Sequence, residues 1–183
     1  MNKQSVFTSA LLGCLATAPA AHVAYCAIYL SEDQAAQAMF PASAKLAPKW
    51  VELTDDEAKS IEKLSRENVR NRKVRVFWGA SGDAVFIDQV VGKHEFITYA
   101  IGVSADGKVK NIEIMEYKET YGHEVRRPEW RKQFVGKDTT APLKLDQDIQ
   151  NISGATLSSA HLTSGVRRIL QTYAVLKPRM AKL

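Results

Sequence analysis

The residues most suited to chemistry in this 183-residue chain form a short polar turn that runs into an amphipathic helix. The turn reads Ser153-Gly154-Ala155-Thr156. The start of a helix presents unpaired backbone N–H groups and the positive end of the helix dipole, so it attracts anions, phosphate above all. Gly154 lets the backbone come close to a bound group because it has no Cβ. The Thr156 hydroxyl is placed to contact such a phosphate or to be esterified by it.

The helix after this turn is predicted from its apolar period. Residues that recur at three- and four-residue steps lie on one helix face; they are Leu162, Val166, Ile169, Leu170 and Tyr173. We expect Ser158 or Ser159 to be the N-cap, and Arg167 and Arg168 to lie on the solvent face. The alternative for this stretch is a capped helix start that binds nothing.

A second polar turn follows a predicted strand that ends at Tyr117, and it consists of Glu119, Thr120, Tyr121 and Gly122. The two turns, in this order and at this distance, resemble the pattern of the FMN-binding domain family. That family includes the flavin subunits of sodium-pumping NADH:quinone reductases and of Rnf complexes, and small extracytoplasmic flavoproteins. The resemblance spans about residues 95–170. Gln150 and Leu157 depart from it: many members have an acidic residue at the first position and Ser or Thr at the second.

The resemblance implies a covalent cofactor. In the family, the threonine after Gly-Ala carries FMN through a phosphoester bond that a dedicated flavin transferase makes, and the matching residue here is Thr156. The other cofactor-binding residues that the resemblance implies are Ser153, Gly154, Ala155, Leu157, Ser158, Glu119, Thr120, Tyr121 and Gly122. A flavin ring needs a flat apolar wall and a few polar groups at its edge. Tyr121 is the expected wall, and Thr120 the expected donor.

The elements around these turns predict an α+β fold with an antiparallel meander sheet of about four strands, N-terminal helices, and a long C-terminal helix packed on the sheet. Alternating or Val/Ile-rich runs separated by short turns predict the strands; these are 74–78, 84–91, 96–103 and 109–117. Asp106-Gly107 is typical of a tight hairpin turn. The absence of strand–helix–strand alternation disfavours a doubly wound fold.

Helices are predicted on both sides of the strands in sequence. Ser31 begins a capping box before a helix that ends near Phe40. Thr54 begins a second capping box before a helix through about Val69. The narrow apolar stripe of this second helix includes Leu64. The Pro-punctuated stretch up to Pro48 is expected to be a connector. Pro128 suits the first position of a short helix through Phe134 with core-facing aromatic residues.

The N-terminus is typical of an export signal, with Lys3, an apolar core and a small-residue cleavage site at residues 18–20. We therefore expect a signal peptide over 1–20, an N-terminal helical segment over 21–73 and an FMN-binding domain over 74–183. The alternative is a membrane anchor that extends to about residue 30, because the stretch is long enough to span a bilayer. Either predicts a periplasmic or otherwise extracytoplasmic protein.

Composition narrows the function classes. The net charge of +5 is modest, and no basic and aromatic residues interleave as in a nucleic-acid motif, so no nucleic-acid partner is expected. Two cysteines near the N-terminus make neither a disulfide framework nor a metal site. The cluster of Arg126, Arg127, Arg131 and Lys137 is either solvated, paired with a cofactor phosphate, or a docking surface for an acidic redox partner.

The main functional prediction is an electron carrier or redox-complex component with FMN on Thr156, rather than an independent enzyme. Its expected partners are the flavin transferase and a redox protein, such as a cytochrome or a membrane reductase. The alternative is a non-redox module that holds FMN or another phosphate ligand reversibly, or docks a partner protein. A hydrolase that uses Ser153 or Ser158 is a weak third hypothesis, because the chain lacks a Gly-x-Ser-x-Gly elbow and an evident His partner beyond His123 and His161.

Overall fold

A computed structural model describes residues 27–41, 44–119 and 122–182. The expected export signal therefore lies outside the described residues, as do Thr120 and Tyr121. Within the described ranges, no helix combines the length and the apolar character that a membrane crossing requires.

The strands form one antiparallel sheet. In chain order they are β1 (Ala27–Ile28), β2 (Ala47–Glu52), β3 (Lys73–Trp78), β4 (Ala84–Val91), β5 (Phe96–Val103) and β6 (Val109–Tyr117). Their order across the sheet is β1-β6-β5-β4-β3-β2, so β2 to β6 form a meander and β1 adds a short edge strand. The predicted α+β meander is confirmed, with one full strand and one two-residue strand beyond the four expected.

Part of the stretch expected to be a connector is strand β2, which pairs with β3 from Ala47↔Trp78 to Glu52↔Lys73. The interpretation as a connector was wrong for Ala47 and Pro48 because it relied on proline as a strand breaker. Proline is tolerated in an edge strand, where its missing N–H faces away from the sheet. β2 is the edge opposite β1.

Two N-terminal helices pack on opposite faces of the sheet. Helix α1 (Glu32–Met39) and helix α2 (Asp55–Ser65) both begin with the predicted capping boxes, on Ser31 and Thr54. Helix α2 ends four residues before the expected end, because Arg66 takes a left-handed conformation with φ 58°. Its Leu64 is 53% exposed, so this residue is not on the buried stripe as predicted.

The C-terminal helix α4 (Thr156–Met180) covers the sheet face opposite α1. All five residues of its predicted apolar face are buried, which confirms the helical period. Between β6 and α4 lies helix α3 (Pro128–Arg131), which continues as a 3-10 turn to Phe134. Its Trp130 and Phe134 are buried and pack edge to face, with ring centroids 5.1 Å apart, as expected for core-facing residues.

Candidate functional site

Helix α4 begins at Thr156 without a side-chain cap. Ala155 is the N-cap residue, and no described side chain accepts a hydrogen bond from the first turn. The first intrahelical bond runs from the Ser159 N–H to the Ala155 carbonyl, at 2.9 Å. The N–H groups of the three preceding residues therefore point outward from the positive end of the helix dipole. A 25-residue helix thus presents a start that can receive an anion.

The predicted N-cap on Ser158 or Ser159 was wrong. Both serines lie inside the helix and are buried. The Ser159 hydroxyl donates to the Ala155 carbonyl at 2.9 Å, which ties it to its own helix. A serine hydroxyl can bond several nearby backbone groups. The sequence alone therefore does not determine which serine, if any, caps the helix.

The turn before the helix leaves Thr156 open to solvent. Ser153, Gly154, Thr156 and Leu157 are exposed, whereas Ala155 is buried. Gly154 has φ +82°, and a Cβ built on it would meet nothing within 4 Å. Leu157, the next residue after Thr156, is an apolar residue that is 47% exposed.

A cavity of about 460 Å³ opens at this helix start. Its volume is within the range of pockets that hold small molecules. One side is formed by residues 154–158, and the other by Lys93, His94 and Glu119. The cavity therefore brings the start of α4, the turn between β4 and β5, and the residue two positions after β6 to one place.

Glu119 holds the turn between β4 and β5 in position. Its Oε1 accepts hydrogen bonds from the backbone N–H of His94 (2.5 Å) and of Glu95 (3.0 Å). Partial burial alone would raise the pKa of the Glu119 carboxyl, but these backbone donors outweigh it and the pKa is lowered. A Cβ on Gly92 would lie 2.5 Å from the same oxygen, so a larger residue there would have to displace the Glu119 carboxylate. Glu119 thus lines the cavity while its carboxylate is committed to the turn.

Gly122 brings the two predicted turns into contact. A Cβ built on Gly122 would lie 2.6 Å from Tyr117 Oη, 3.1 Å from Ala155 Cβ and 3.4 Å from Ser158 Oγ, and its φ is +86°. The hydroxyl groups of Tyr117 and Ser158 are 3.4 Å apart. Burial raises the pKa of the Tyr117 hydroxyl, so this hydroxyl stays neutral. The juxtaposition of the turn after β6 with the start of α4 is therefore built into the core.

Helix α3 and the turn after it fix the loop that leads to α4. Trp130 Nε1 donates to the Gln150 carbonyl, and Gln133 Oε1 accepts from the Gln150 N–H, both at 2.7 Å. Asp148 accepts from the backbone N–H of Lys144 at 2.8 Å and pairs with Lys137 Nζ at 3.0 Å. Burial alone would raise the pKa of Asp148, but these donors lower it. Gln150 therefore contributes its backbone to the support of the site.

The basic cluster predicted from the sequence lies outside the cavity at the helix start. The Arg126 guanidinium lies 3.5 Å from the centroid of the Tyr29 ring, Arg131 pairs with Glu113 at 2.5 Å, and Lys137 pairs with Asp148. None of the four basic residues lines the cavity at the helix start. Three of them stabilise the fold through partners that are distant in sequence.

Arg167 and Arg168 are not on the solvent face as expected. Arg167 donates to the carbonyls of Ser65 (2.7 Å) and Leu143 (2.8 Å) and pairs with Glu67 at 2.5 Å. Arg168 pairs with Asp88 at 2.5 Å. Partners about 100 and 80 residues away in sequence turn these side chains toward the protein. The helical period alone did not reveal such partners.

A hydrolytic site receives no support. The Ser158 hydroxyl faces Tyr117, and His161 Nδ1 lies 2.5 Å from the Val91 carbonyl. Over the described ranges, no serine hydroxyl is hydrogen-bonded to a histidine ring, so no activated nucleophile is assembled. Among the described residues, no group of three or more His, Cys, Asp or Glu side chains could hold a metal ion.

Sequence reasoning missed Lys93 and His94 as cavity residues. Both are exposed in the turn between β4 and β5 and face the start of α4 across the cavity. The only signal in the sequence was the positive charge of Lys93 in a turn, and a charged residue in a turn is usually only solvated. Their place near Thr156 depends on the sheet order and on Glu119, which are tertiary features.

Two comparisons with known proteins give matches to this chain. Residues 92–171 match the sequence model of the FMN-binding domain family. The chain is also similar to one of the subunits of the Na(+)-translocating ferredoxin:NAD(+) oxidoreductase complex of Acetobacterium woodii, with 28% identity over 176 residues. This alignment covers 82% of the chain and 85% of the relative. All residues that line the cavity at the helix start fall within the family match.

Proposed function

Because residues 92–171 match the sequence model of the FMN-binding domain family, we propose that the chain carries FMN as a phosphoester on Thr156 and transfers electrons outside the cytoplasm as part of a redox complex. The chain is then an electron carrier rather than an independent enzyme. Its relative in Acetobacterium woodii is named as a subunit of an oxidoreductase complex. That name supports membership in a redox complex for this chain as well.

One observation carries the proposal. Thr156 is exposed as the first residue of a 25-residue helix whose start has no side-chain cap, and it opens into a cavity of about 460 Å³. A phosphate on the Thr156 oxygen would lie beside the unpaired N–H groups of the first helical turn. A hydroxyl that is both accessible and next to an anion site is what a phosphoester attachment requires.

The residues present fit the cofactor. The N–H groups of residues 156–158 and the Lys93 ammonium would hold the phosphate, and Leu157 would give the flavin ring an apolar contact. Gly154 leaves open space beside the turn. When bound, FMN supplies the redox chemistry, since its ring accepts and donates electrons. The protein supplies the tether, the orientation and the local charge.

The attachment needs a flavin-nucleotide donor and a transferase. The Thr156 oxygen forms a bond to the phosphorus of the donor, one substituent of that phosphorus leaves, and the threonine proton passes to a base. The products are the phosphoester and the displaced group. A covalent tether suits an exported protein, which cannot rely on a free pool of FMN. Export is itself an expectation from the predicted signal peptide over residues 1–20.

The proposal is tested by co-expression of the full chain with a flavin transferase in the exporting compartment. The wild type is expected to keep flavin fluorescence on a denaturing gel, and Thr156→Ala to lose it. Thr156→Ser is the matched control, because it retains a hydroxyl at the same position. Flavin fluorescence that is equal in wild type and Thr156→Ala would contradict attachment at this residue.

The second candidate is a reversible binder of FMN or another phosphate ligand. The same uncapped helix start favours it, because such a start binds phosphate without a covalent bond. Flavin that copurifies with the native protein and is removed completely by denaturation would favour this candidate. The two functions therefore differ in a single readout on the same sample.

A further inference from the structure

The sheet opens into a fork between β3 and β4. Their pairing runs only from Trp78↔Ala84 to Arg75↔Ile87. Beyond this point β4 continues to Val91 paired with β5, while Lys73 and Val74 pair with β2. The two strands therefore diverge, and the space between them is not closed by a ladder of hydrogen bonds.

A cavity of about 470 Å³ occupies this fork. Leu53, Val69 and Ile169 contribute apolar walls, and Trp50 and Phe96 lie at its rim. The two aromatic side chains are 64% and 52% exposed, which is unusual for residues of this size. They offer flat apolar surfaces on which a planar ring could stack.

The charges of the fork are unbalanced. Its lining includes four cations and two carboxylates. Arg75 pairs with Glu32 at 2.7 Å, and Arg168 pairs with Asp88 at 2.5 Å. The two remaining cations, Arg70 and Lys73, have no carboxylate within 4 Å among the described residues. Their positive charge is therefore available to an anion.

Arg75 fixes one aromatic wall of the fork. Its guanidinium carbon lies 5.3 Å from the centroid of the Trp50 ring and 5.2 Å from that of Phe77. Because Arg75 is also bonded to Glu32, this cation–π contact holds the indole near the fork. A preorganised ring loses less conformational freedom when a ligand stacks on it.

We propose that this fork is a reversible binding site for a planar aromatic anion, with the ring against Trp50 and a carboxylate or phosphate near Arg70 and Lys73. The volume, the exposed aromatic rim and the unpaired cations together define this ligand class. The fork and the cavity at the start of α4 share no lining residue. The site is therefore independent of the proposed flavin attachment.

The test uses three probes with the same ring: 2-naphthoate, 2-naphthyl phosphate and the neutral 2-naphthamide. The full chain is titrated while the indole N–H signals of its three tryptophans are followed by NMR. Trp78 and Trp130 are buried, so Trp50 is the exposed reporter. We expect saturable shifts of the Trp50 signal with the anions and weaker binding of the amide. The tighter of the two anions identifies the carboxylate or phosphate preference.

The variants separate the ring contact from the charge contact. Arg70→Gln combined with Lys73→Gln is expected to weaken anion binding about tenfold and to leave amide binding unchanged. Trp50→Ala removes the NMR reporter, so its binding is measured by equilibrium dialysis against wild type; it is expected to weaken the binding of all three probes. Leu64→Ala is the control, because Leu64 is 53% exposed but does not line the fork. Lack of saturable binding to the wild type, equal affinity for amide and anions, or undiminished anion binding by the charge variant would each overturn the proposal.

Discussion

The carboxylate of Glu119 occupies the space beside the α-carbon of Gly92. A Cβ on Gly92 would lie 2.5 Å from Glu119 Oε1 and 3.0 Å from its Cγ. The same carboxylate accepts two backbone hydrogen bonds from the turn that follows Gly92. One glycine and one carboxylate therefore determine where Lys93 and His94 face the start of α4.

Gly92→Ala is expected to displace the Glu119 carboxylate and to lower the free energy of unfolding by about 1–3 kcal/mol. Urea unfolding measures the change. The matched background is Glu119→Ala, in which the added methyl group has no carboxylate to meet. The cost of Gly92→Ala should be much smaller there. An equal cost in both backgrounds would show that the contact between these two residues does not cause the effect.

The lowered pKa of Glu119 predicts a pH dependence of stability. A carboxyl group whose pKa is lower in the folded state stabilises the protein above its unfolded pKa, which is about 4.3 for glutamate. This contribution is lost as the pH falls from there through the folded pKa. The difference in the free energy of unfolding between wild type and Glu119→Gln should therefore become smaller as the pH falls below about 4.3. Urea unfolding between about pH 7 and pH 3 measures it, and a pH-independent difference would contradict this assignment.

Arg167 is expected to be a main support of α4. Arg167→Gln removes donors from the Ser65 and Leu143 carbonyls and leaves Glu67 without its cation. We expect a loss of about 2–4 kcal/mol in the free energy of unfolding, because buried and half-buried partners become unpaired. Lys132→Gln is the control, since Lys132 forms no ion pair within the described residues; its effect should stay below about 0.5 kcal/mol. Equal effects of the two substitutions would show that the Arg167 contacts do not stabilise the fold.

Lys93 is expected to tune the bound flavin through its charge. Lys93→Gln removes a cation from the cavity wall, so added electrons are less stabilised and the reduction potential should fall by roughly ten to thirty millivolts. The shift should shrink at high salt, because Lys93 is exposed. Spectroelectrochemistry of flavin-loaded protein measures it. An unchanged or raised potential would place Lys93 away from the ring.

The sequence predicted best those features that depend on local periodicity. The alternation in β3 to β6, the capping boxes on Ser31 and Thr54, and the apolar face of α4 were all found where expected. Each depends on residues within a few positions of one another. The pattern of a strand or a helix face is a property of the chain itself, so it can be interpreted without knowledge of the fold.

Features that depend on distant partners were missed. Strand β2 contains Pro48, and only its place at the sheet edge makes a proline acceptable there. Arg167 and Arg168 are turned inward by partners in the segment after α2 and in β4. Likewise, Lys93 and His94 face the helix start only because Glu119 holds their turn. Four of the proposed cofactor residues, Ser153, Gly154, Thr156 and Leu157, are exposed together at one helix start, and their role stays a prediction.

The most direct measurement is the location of the flavin adduct by tandem mass spectrometry. Trypsin cleavage after Lys144 and Arg167 yields a peptide that contains Thr156 together with Thr163 and several serines. Protein from a flavin-competent host should yield this peptide with the mass of FMN less one water, and fragmentation should place the adduct on Thr156. An unmodified peptide, or an adduct on any other hydroxyl of the peptide, would contradict the account.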